Sequence, residues 1–512
     1  MLRHLLLASV LLTISGAAGH AQDGWRLFRG NAERTSAAAK LPAWDKRVAW
    51  QRPLFMDKHD VLGEIDPDQA AQALIEKLRK DADPSILPGF FPLIADDLCL
   101  YRGHRDARAV SLKTITVVDD MAHQKFDIAA GHIVWESIPA DTDVSVLLAK
   151  PQLKRDFDQI AKQLEQSKQS HWWWANPMTG TASADKEMLY VIYDLPISAG
   201  KLKDAAKLAG LGNLAFSAHA ENNTLCAYIV ENGKIVWGIG PEIADRAKEG
   251  LFLGAPVTLD KKIHALNERA GELRLLTLDP AKRKPGQPPP VDKTLTLLKV
   301  PAAEIAANHT LRRTQPLHLA HAAGLLVCPT HAGVLVGVDR AKMGMRWTYR
   351  YRDEKTPAPS LPCWQAASPV IHKESILFTA ADSPDVHCID LDGKKLWSAP
   401  ATDKDLYLAT VHDDIVLLVG KTHCRALSLK DGQEKWKLET GLTAGVGVRD
   451  GATYYLPLKR ADGPTIWVID LTKGTKTRAL KVPHADALGN LILHRGMFVS
   501  QSVTHIAAFP LK

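Results

Sequence analysis

The chain has 512 residues, of which 46% are hydrophobic and 24% are charged, and its formal net charge is +7. This composition supplies enough apolar material for a folded core and gives no sign of disorder. The Lys and Arg residues are interleaved with Asp and Glu rather than clustered. We therefore expect a solvated basic surface and no nucleic-acid partner.

The N-terminus has the pattern of a cleavable secretory signal. Arg3 precedes an apolar run over residues 5–14, and small residues lead to Gly19-His20-Ala21. The run is too short to cross a bilayer, and no cysteine follows it that could carry a lipid anchor. We predict a signal peptide over residues 1–21 and a periplasmic or secreted protein without a transmembrane segment.

Two stretches near the N-terminal end predict helices in a chain that is otherwise strand-like. Asp66 is a suitable cap, and Pro67 suits the first helical position, so we expect a helix over about 66–80. The apolar spacing between Leu153 and Leu164 predicts a second inserted helix over about 152–168.

Three consecutive tryptophans, Trp172, Trp173 and Trp174, follow the second predicted helix. They fit an exposed aromatic patch for a protein partner or a glycan, because alternating strand geometry would expose at least one ring. They equally fit packing between the helix and the neighbouring sheet. The sequence leaves both interpretations open.

A strand, a tight turn and a tryptophan recur along the rest of the chain. The best copies are 231–237, 391–397 and 430–436, with looser copies at 131–135, 343–347 and 474–478. A glycine in such a turn permits a positive φ, and the large flat indole can fill the gap between neighbouring sheets. An all-strand repeat of about 40 to 50 residues predicts a β-propeller. The repeat positions are Trp50, Gly131, Trp135, Gly233, Trp237, Trp347, Gly393, Trp397, Gly432 and Trp436.

The order of these copies predicts how the ring closes. Seven fourth strands follow one another, at Trp135, Trp237, a degenerate position near Leu298, Trp347, Trp397, Trp436 and Arg478. The C-terminal stretch supplies strands but no fourth strand, whereas Trp50 ends a lone strand near the N-terminus. We therefore predict an all-β, eight-bladed propeller of four-stranded antiparallel blades. The N-terminal strand closes the last blade, and residues 22–512 form a single domain.

The repeats at 388–397 and 426–436 resemble those of the PQQ-like β-propeller family. This family includes quinoprotein alcohol dehydrogenases and BamB-type outer-membrane assembly proteins. The segment Trp25-Arg26-Leu27-Phe28-Arg29-Gly30-Asn31 is similar to the W-x-x-F-R-G-N opening of secreted bacterial members. The resemblance implies the propeller fold and leaves the activity open.

Features of a quinoprotein dehydrogenase are not evident in the sequence. The resemblance to that branch would imply adjacent cysteines forming a ring disulfide, acidic calcium ligands and an aspartate base. The two closest cysteines, Cys363 and Cys388, are far apart, and Asp390 and Asp392 lie in a repeat turn that favours aspartate for its geometry. The pair His318 and His321 is not expected to hold a metal.

No motif of a serine hydrolase, a zinc peptidase or a P-loop enzyme is present in the sequence. We therefore predict no catalytic, cofactor-binding or metal-binding residues. The expected function is that of a binding or scaffold protein of the cell envelope, with an unidentified protein partner or envelope component. The alternative is a PQQ-dependent oxidoreductase with calcium, or another enzyme that uses residues of the central funnel.

Overall fold

The chain forms an eight-bladed β-propeller, as the repeat predicts. The computed structural model describes residues 25–40, 49–55, 67–80, 82–104, 106–119, 124–137, 170–194, 222–240, 250–301, 309–353, 355–356, 359, 362–402, 404–482 and 488–511. Eight antiparallel sheets follow one another along the chain, and the first strands of several successive sheets contact each other. The predicted signal peptide and the predicted helix over 152–168 lie outside the described residues.

The first four blades are formed between residues 93 and 350. Blade 1 comprises Leu93–Ala95, Leu98–Arg102, Ala107–Ser111 and Ile133–Glu136. Blade 2 comprises Ala182–Ala184, Met188–Tyr193, Thr224–Ile229 and Ile235–Ile239. Blade 3 has a divided first strand, Leu251–Phe252 and Val257–Leu259, followed by Lys262–Arg269, Glu272–Leu278 and Val291–Lys299. Blade 4 comprises Ala320–Ala322, Leu325–Pro329, Val334–Asp339 and Gly344–Arg350.

The last four blades complete the ring. Blade 5 comprises Val370–His372, Ser375–Ala380, Ser383–Asp390 and Lys395–Pro400. Blade 6 comprises Asp405–His412, Ile415–Gly420, His423–Ser428 and Glu434–Glu439. Blade 7 also has a divided first strand, Leu442–Thr443 and Val448–Asp450, followed by Thr453–Lys459, Thr465–Asp470 and Thr475–Lys481. Blade 8 comprises Asn490–His494, Met497–Gln501, His505–Pro510 and Trp50–Pro53.

The short N-terminal strand closes the ring. Trp50–Pro53 pairs antiparallel with His505–Pro510, and Trp50 lies opposite Ala508. Blade 8 thus takes three strands from one end of the chain and its fourth from the other. This pairing confirms the predicted closure and covers the backbone edge that an open ring would expose.

Helices occur in the connections between strands. The described α-helices are Pro67–Lys80, Pro177–Gly180 and His309–Thr314, and the described 3₁₀ helices are Ser170–Trp173 and Pro280–Lys282. The helix Pro67–Lys80, which we call α1, occupies the predicted insertion over 66–80. A separate hairpin, Ile115–Asp119 and Gln124–Ile128, lies between the third and fourth strands of blade 1.

The repeat tryptophans join adjacent blades. The indole N–H groups of Trp135, Trp347, Trp397 and Trp436 each donate to a carbonyl of the following blade over 2.8–3.0 Å. The turn glycine of that following blade lies against the ring, where a Cβ atom would come within 3 Å of the indole. These tryptophan–glycine pairs are Trp50–Gly131, Trp135–Gly233, Trp347–Gly393, Trp397–Gly432 and Trp436–Gly474.

Burial changes from the inside of a blade to its outside. The second strand of blade 6, Ile415–Gly420, is buried along its whole length, whereas its fourth strand, Glu434–Glu439, is mostly exposed. The core therefore lies between the inner strands of neighbouring blades. Because strands alternate in direction, the turns after second strands and the connections between blades share one face of the ring. We call this the connection face.

Candidate functional site

The N-terminal segment over residues 25–38, which we call the axial segment, winds around the inside of the ring. Its backbone or side chains hydrogen-bond to the first strands of seven blades, and Leu27 packs into the core of blade 3. Because the contacts follow the order of the blades, the segment makes one circuit of the axis. The hydrogen-bonded partners, in order, are Leu493, Ile94, Ala184, His321, Ile371, Thr410 and Arg449.

Side chains of the axial segment fill the centre of the propeller. The Phe28 ring stacks on the imidazole of His318 with ring centroids 4.1 Å apart. The Phe91 ring contacts Phe28 edge-on, with ring centroids 4.5 Å apart. The buried Arg34 donates from Nε to the Leu319 carbonyl at 2.9 Å and from Nη1 to the Phe28 carbonyl at 2.7 Å. The axis is therefore occupied by the protein's own packed residues.

These residues do not fit pyrroloquinoline quinone with calcium, the cofactor of the alternative function. The Phe28, Phe91 and His318 rings occupy the axial space, and the charged groups beside them are the guanidinium groups of Arg29 and Arg34 rather than carboxylates. Calcium is held by oxygen ligands, chiefly carboxylates and carbonyls. Within the described ranges, no group of three or more His, Cys, Asp or Glu side chains is placed to hold a metal ion.

The other metal candidates have structural partners. Asp390 accepts hydrogen bonds from the backbone N–H groups of Asp392 and Lys394 at 3.0 and 2.8 Å, which shapes the turn of blade 5. Asp392 pairs with Arg346 on the neighbouring blade. All six cysteines are free thiols. The aspartates thus serve the turn and the blade contact, as turn chemistry favours.

A groove of about 590 Å³ opens between α1, the segment that follows it and blades 7 and 8. We call it the basic groove. It lies on the connection face, since α1 belongs to the connection between blades 8 and 1. Its lining residues are Glu76, Arg79, Lys80, Ala82, Asp83, Pro84, Ile86, Pro88, Trp174, Ala444, Lys459, Arg460, Pro464, Leu488, Ser502, Val503 and Thr504.

The helix α1 and the segment that contains Trp173 and Trp174 supply residues near this groove. Ile75 and Leu78 of α1 are buried in the same apolar cluster as Trp173 and Trp174. The carbonyl of Trp174 accepts a hydrogen bond from the Gly89 N–H at 2.8 Å, which ties the tryptophan segment to the chain beyond α1. Packing of apolar side chains from both segments therefore fixes one wall of the groove.

Burial of Trp173 and Trp174 corrects the interpretation of this sequence as an exposed aromatic patch. Trp173 is 6% exposed and Trp174 is 3% exposed. They lie in and beside a 3₁₀ helix, so the strand alternation that would have exposed a ring does not apply. The Trp172 side chain lies outside the described part of the structure. For the two described rings, the packing interpretation holds.

Cationic side chains outnumber carboxylates along the basic groove. Arg79 and Lys80 come from the last turn of α1, and Lys459 and Arg460 come from the end of the second strand of blade 7. The surrounding protein removes water from the Lys459 ammonium, and this desolvation together with the Arg79 charge lowers the pKa of Lys459. Arg79 and Lys459 therefore produce a local region of positive potential in the groove.

The carboxylates of the groove already have partners. Asp83 accepts hydrogen bonds from the backbone and hydroxyl of Ser85 and pairs with Lys421 at 3.0 Å. Partial burial acts to raise the pKa of Asp83, but these partners outweigh it and lower the pKa to about 2. Glu76 accepts a hydrogen bond from Gln72. Of the cations, Arg460 pairs with Asp462 at 3.1 Å. The groove also has an apolar floor that includes Ile86, Pro88, Trp174, Leu488 and Val503.

The sequence predicted the helix α1 but not the group of cations to which it contributes Arg79 and Lys80. Arg79 and Lys459 are far apart in the chain, and neither lies in a linear motif. The basic last turn of α1 was a visible signal, although such a turn also stabilises a helix through its dipole. The charges converge because blades 7 and 8 lie next to α1 in the closed ring.

The chain is similar to known β-propeller proteins. Residues 331–481, from the middle of blade 4 through blade 7, match a family model described as outer membrane protein assembly factor BamB. No curated protein matches the sequence. The structure of BamB from Moraxella catarrhalis is 16% identical with a TM-score of 0.37, and the match covers 56% of this chain and 78% of that chain.

The quinohemoprotein alcohol dehydrogenase from Comamonas testosteroni is also similar. It is 9% identical with a TM-score of 0.53, and the match covers 97% of this chain and 81% of that chain. At this identity the likeness concerns the fold and not the activity. The closed ring of eight blades, the turn-and-tryptophan repeats and the family match over residues 331–481 together support a likeness to the PQQ-like β-propellers.

Proposed function

We propose that this protein is a secreted or periplasmic scaffold of the cell envelope. Its mature chain, residues 22–512, would act as one propeller domain that binds a protein partner and performs no catalysis of its own. The BamB family match over blades 4 to 7 supports a protein-binding role. Among the described residues, no helix combines the length and the hydropathy needed to cross a bilayer.

The basic groove is the observation that carries this proposal. It has the size of a binding cavity, an apolar floor and four cationic side chains, Arg79, Lys80, Lys459 and Arg460. Its two carboxylates are engaged by Gln72, Ser85 and Lys421. By charge complementarity, the partner is an acidic segment that also presents apolar side chains.

The alternative of a funnel-site enzyme receives less support. An enzyme of that kind needs an accessible space at the axis, and the axial segment fills this position with Phe28 and its neighbours. The basic groove, in contrast, opens to the surface beside the inserted helix α1. Insertions on a rigid scaffold are common places for binding surfaces.

Peptide binding to the purified mature protein tests the proposed groove. The probe is a fluorescein-labelled peptide of alternating Glu and Leu, compared with the same peptide carrying Gln in place of Glu. We expect the acidic peptide to bind and the neutral one to bind at least tenfold more weakly, with affinity falling as salt rises. The double variant Arg79→Glu and Lys459→Glu should lose at least tenfold in affinity.

A matched control separates the groove from the general surface charge. Lys186 and Lys473 are exposed and lie outside the groove, so Lys186→Glu with Lys473→Glu makes the same change in net charge. This control should bind the acidic peptide like the unchanged protein. Equal losses in both double variants, or no binding of the acidic peptide at any salt concentration, would refute the groove as the partner site.

Export is tested independently by expressing the full chain in a Gram-negative host. We expect the protein in the periplasmic fraction or the medium, with Edman sequencing of the mature form starting at Gln22. Retention of the uncleaved chain in the cytoplasm would contradict the secreted location without affecting the groove.

A further inference from the structure

The fourth strand of blade 7, Thr475–Lys481, carries an unbalanced positive charge. It contains Lys476, Arg478 and Lys481 and no carboxylate, which is the largest net charge among the fourth strands of the eight blades. Most of its residues are exposed. In blade 6, by contrast, the fourth strand Glu434–Glu439 has two lysines and two glutamates. Blade 7 therefore presents a strip of positive charge on the outside of the ring.

The indole of Trp467, on the neighbouring strand, organises two of the cations at this surface. The Lys476 Nζ lies 4.8 Å from the centre of the indole, and the Arg460 Cζ lies 5.2 Å from it. Such cation–π contacts favour a defined position for a flexible charged side chain. Because Arg460 also lines the basic groove, the positive charge of the groove continues onto the outer side of blade 7.

The outer strand also has a backbone edge. Thr475–Lys481 pairs with Thr465–Asp470 on one side, and within the part of the chain that the structure describes no strand pairs with it on the other. The N–H and C=O groups along such an edge can bind a further strand. Lys481 lies opposite Thr465, which follows the groove residue Pro464, so one end of this edge lies beside the groove.

The charge of the edge determines which strand it accepts. A second copy of the same strand would place lysine and arginine opposite one another, and like charges across a pair of strands are destabilising. Glutamate or aspartate on an added strand would instead form opposite-charge pairs with Lys476, Arg478 and Lys481. The edge therefore disfavours self-association and favours an acidic strand.

A membrane surface fits this region less well than a peptide strand does. Proteins that lie on a membrane insert large apolar side chains into the interface in addition to presenting cations. The exposed large apolar side chains of the described structure all lie on blades 1 to 5 and none lies on blade 7; they are Phe126, Ile133, Ile235, Val291, Met345 and Leu396. Positive charge and a backbone edge are what blade 7 offers.

We propose that the outer strand of blade 7 pairs with an acidic, extended segment of a protein partner. This inference rests on the proposed function, since it gives the acidic partner of the basic groove a second contact. Backbone hydrogen bonds hold the added strand, and its carboxylates select blade 7 over the other blades. Because exposed ion pairs each contribute little, this contact is weaker than binding in the groove.

Peptide binding distinguishes strand pairing from simple charge attraction. The probe is a fluorescein-labelled peptide of alternating Glu and Thr, which has no large apolar side chains for the floor of the groove. A control peptide of the same sequence carries N-methyl groups on its two central residues, which block both backbone edges and leave the charge unchanged. By fluorescence anisotropy at low salt, the control should bind at least tenfold more weakly. Equal binding of both peptides would overturn the proposal.

Charge reversal locates the contact on the ring. Lys476→Glu with Arg478→Glu should weaken binding of the unmodified peptide at least tenfold. The matched control is Lys435→Glu with Lys437→Glu, which makes the same change in net charge on the exposed outer strand of blade 6. This control should bind the peptide like the unchanged protein, and equal losses in the two double variants would contradict the assignment to blade 7.

Hydrogen exchange separates this contact from the basic groove. The peptide should slow deuterium uptake over residues 475–481, both in the unchanged protein and in the groove variant Arg79→Glu with Lys459→Glu. Protection that persists in the groove variant supports the strand contact, whatever the result of the groove experiment. Absence of protection over 475–481 in both proteins would overturn the strand contact and leave the groove unaffected. Protection by phosphatidylglycerol vesicles but not by the peptide would assign the surface to a membrane and likewise overturn the proposal.

Discussion

Gly432 lies directly against the indole of Trp397, and a Cβ atom on this glycine would stand 2.6 Å from the ring carbon Cε3. The two residues belong to different blades, since Trp397 is on the fourth strand of blade 5 and Gly432 is in the last turn of blade 6. The Trp397 N–H also donates to the Leu429 carbonyl of that turn at 2.8 Å. A turn residue and an inter-blade contact therefore depend on each other.

This relationship explains where the repeat degenerates. Arg478 takes the tryptophan position of blade 7, which faces blade 8. Between its third and fourth strands, blade 8 has the two separate ends of the chain in place of a turn. Blade 3 has Lys293 at the corresponding place, opposite Thr277, whereas the predicted position near Leu298 lies at the other end of the same strand. The next turn has Met343 at φ +49° in place of a glycine. Where the tryptophan is lost, the glycine that it would cover is lost too.

The first prediction concerns the space above Gly432. Gly432→Ala should destabilise the protein by about 2–4 kcal/mol, because the new methyl group meets the Trp397 ring in addition to the strain of a positive φ. Gly324 has nearly the same φ, +75° against +74°, with open space around it. Gly324→Ala should therefore cost about 1 kcal/mol, the backbone strain alone.

Urea unfolding of both glycine variants at pH 7 provides the measurement. Equal losses for Gly432→Ala and Gly324→Ala would show that the glycine serves only the turn, and that the contact with Trp397 adds nothing.

The second prediction separates the indole hydrogen bond from the bulk of the ring. Trp397→Phe removes the N–H that bonds to Leu429, whereas the buried Nε1 of Trp50 has no hydrogen-bond partner among the described residues. Both substitutions remove a similar volume from a contact between blades. We expect Trp397→Phe to cost about 1–2 kcal/mol more than Trp50→Phe in the free energy of unfolding. If Trp50→Phe lowered the free energy of unfolding more than Trp397→Phe, the indole hydrogen bond to Leu429 would not contribute as expected.

The third prediction concerns acid sensitivity. Burial, with a smaller contribution from Lys395, lowers the pKa of His387 to about 4, and burial also lowers the pKa of His264 and His331 to about 4. In the unfolded chain a histidine binds its proton near pH 6.5. As the pH falls from 6.5 to 4, the unfolded state binds protons that the folded state excludes, so stability must decrease.

His387→Gln should reduce this pH dependence. The histidine accounts for up to about 3 kcal/mol of the loss between pH 6.5 and pH 4, and the variant should show a shallower slope over the same range. His132 is exposed, so His132→Gln should keep the slope of the unchanged protein. Urea unfolding at half-unit pH intervals measures both slopes. Identical slopes for His387→Gln and the unchanged protein would exclude His387 from the acid response.

The sequence by itself determined the ring and its closure. Glycine in a tight turn and a tryptophan a few residues later are local features, and each copy marks one blade, so counting them predicted eight blades. The displaced Trp50 predicted which end of the chain supplies the last strand. Pro67 at the start of α1 was likewise a local signal for the inserted helix.

Only the tertiary structure decided which distant side chains contact one another and which are buried. Arg79 lies near Lys459, and Arg29 and Arg34 are buried near His318. Ring closure brings these residues together from distant parts of the chain. Burial of Trp173 and Trp174 also depended on how α1 packs, which their sequence left open. Local turn and strand preferences act over a few residues, whereas charge convergence and burial depend on contacts made after the blades have assembled.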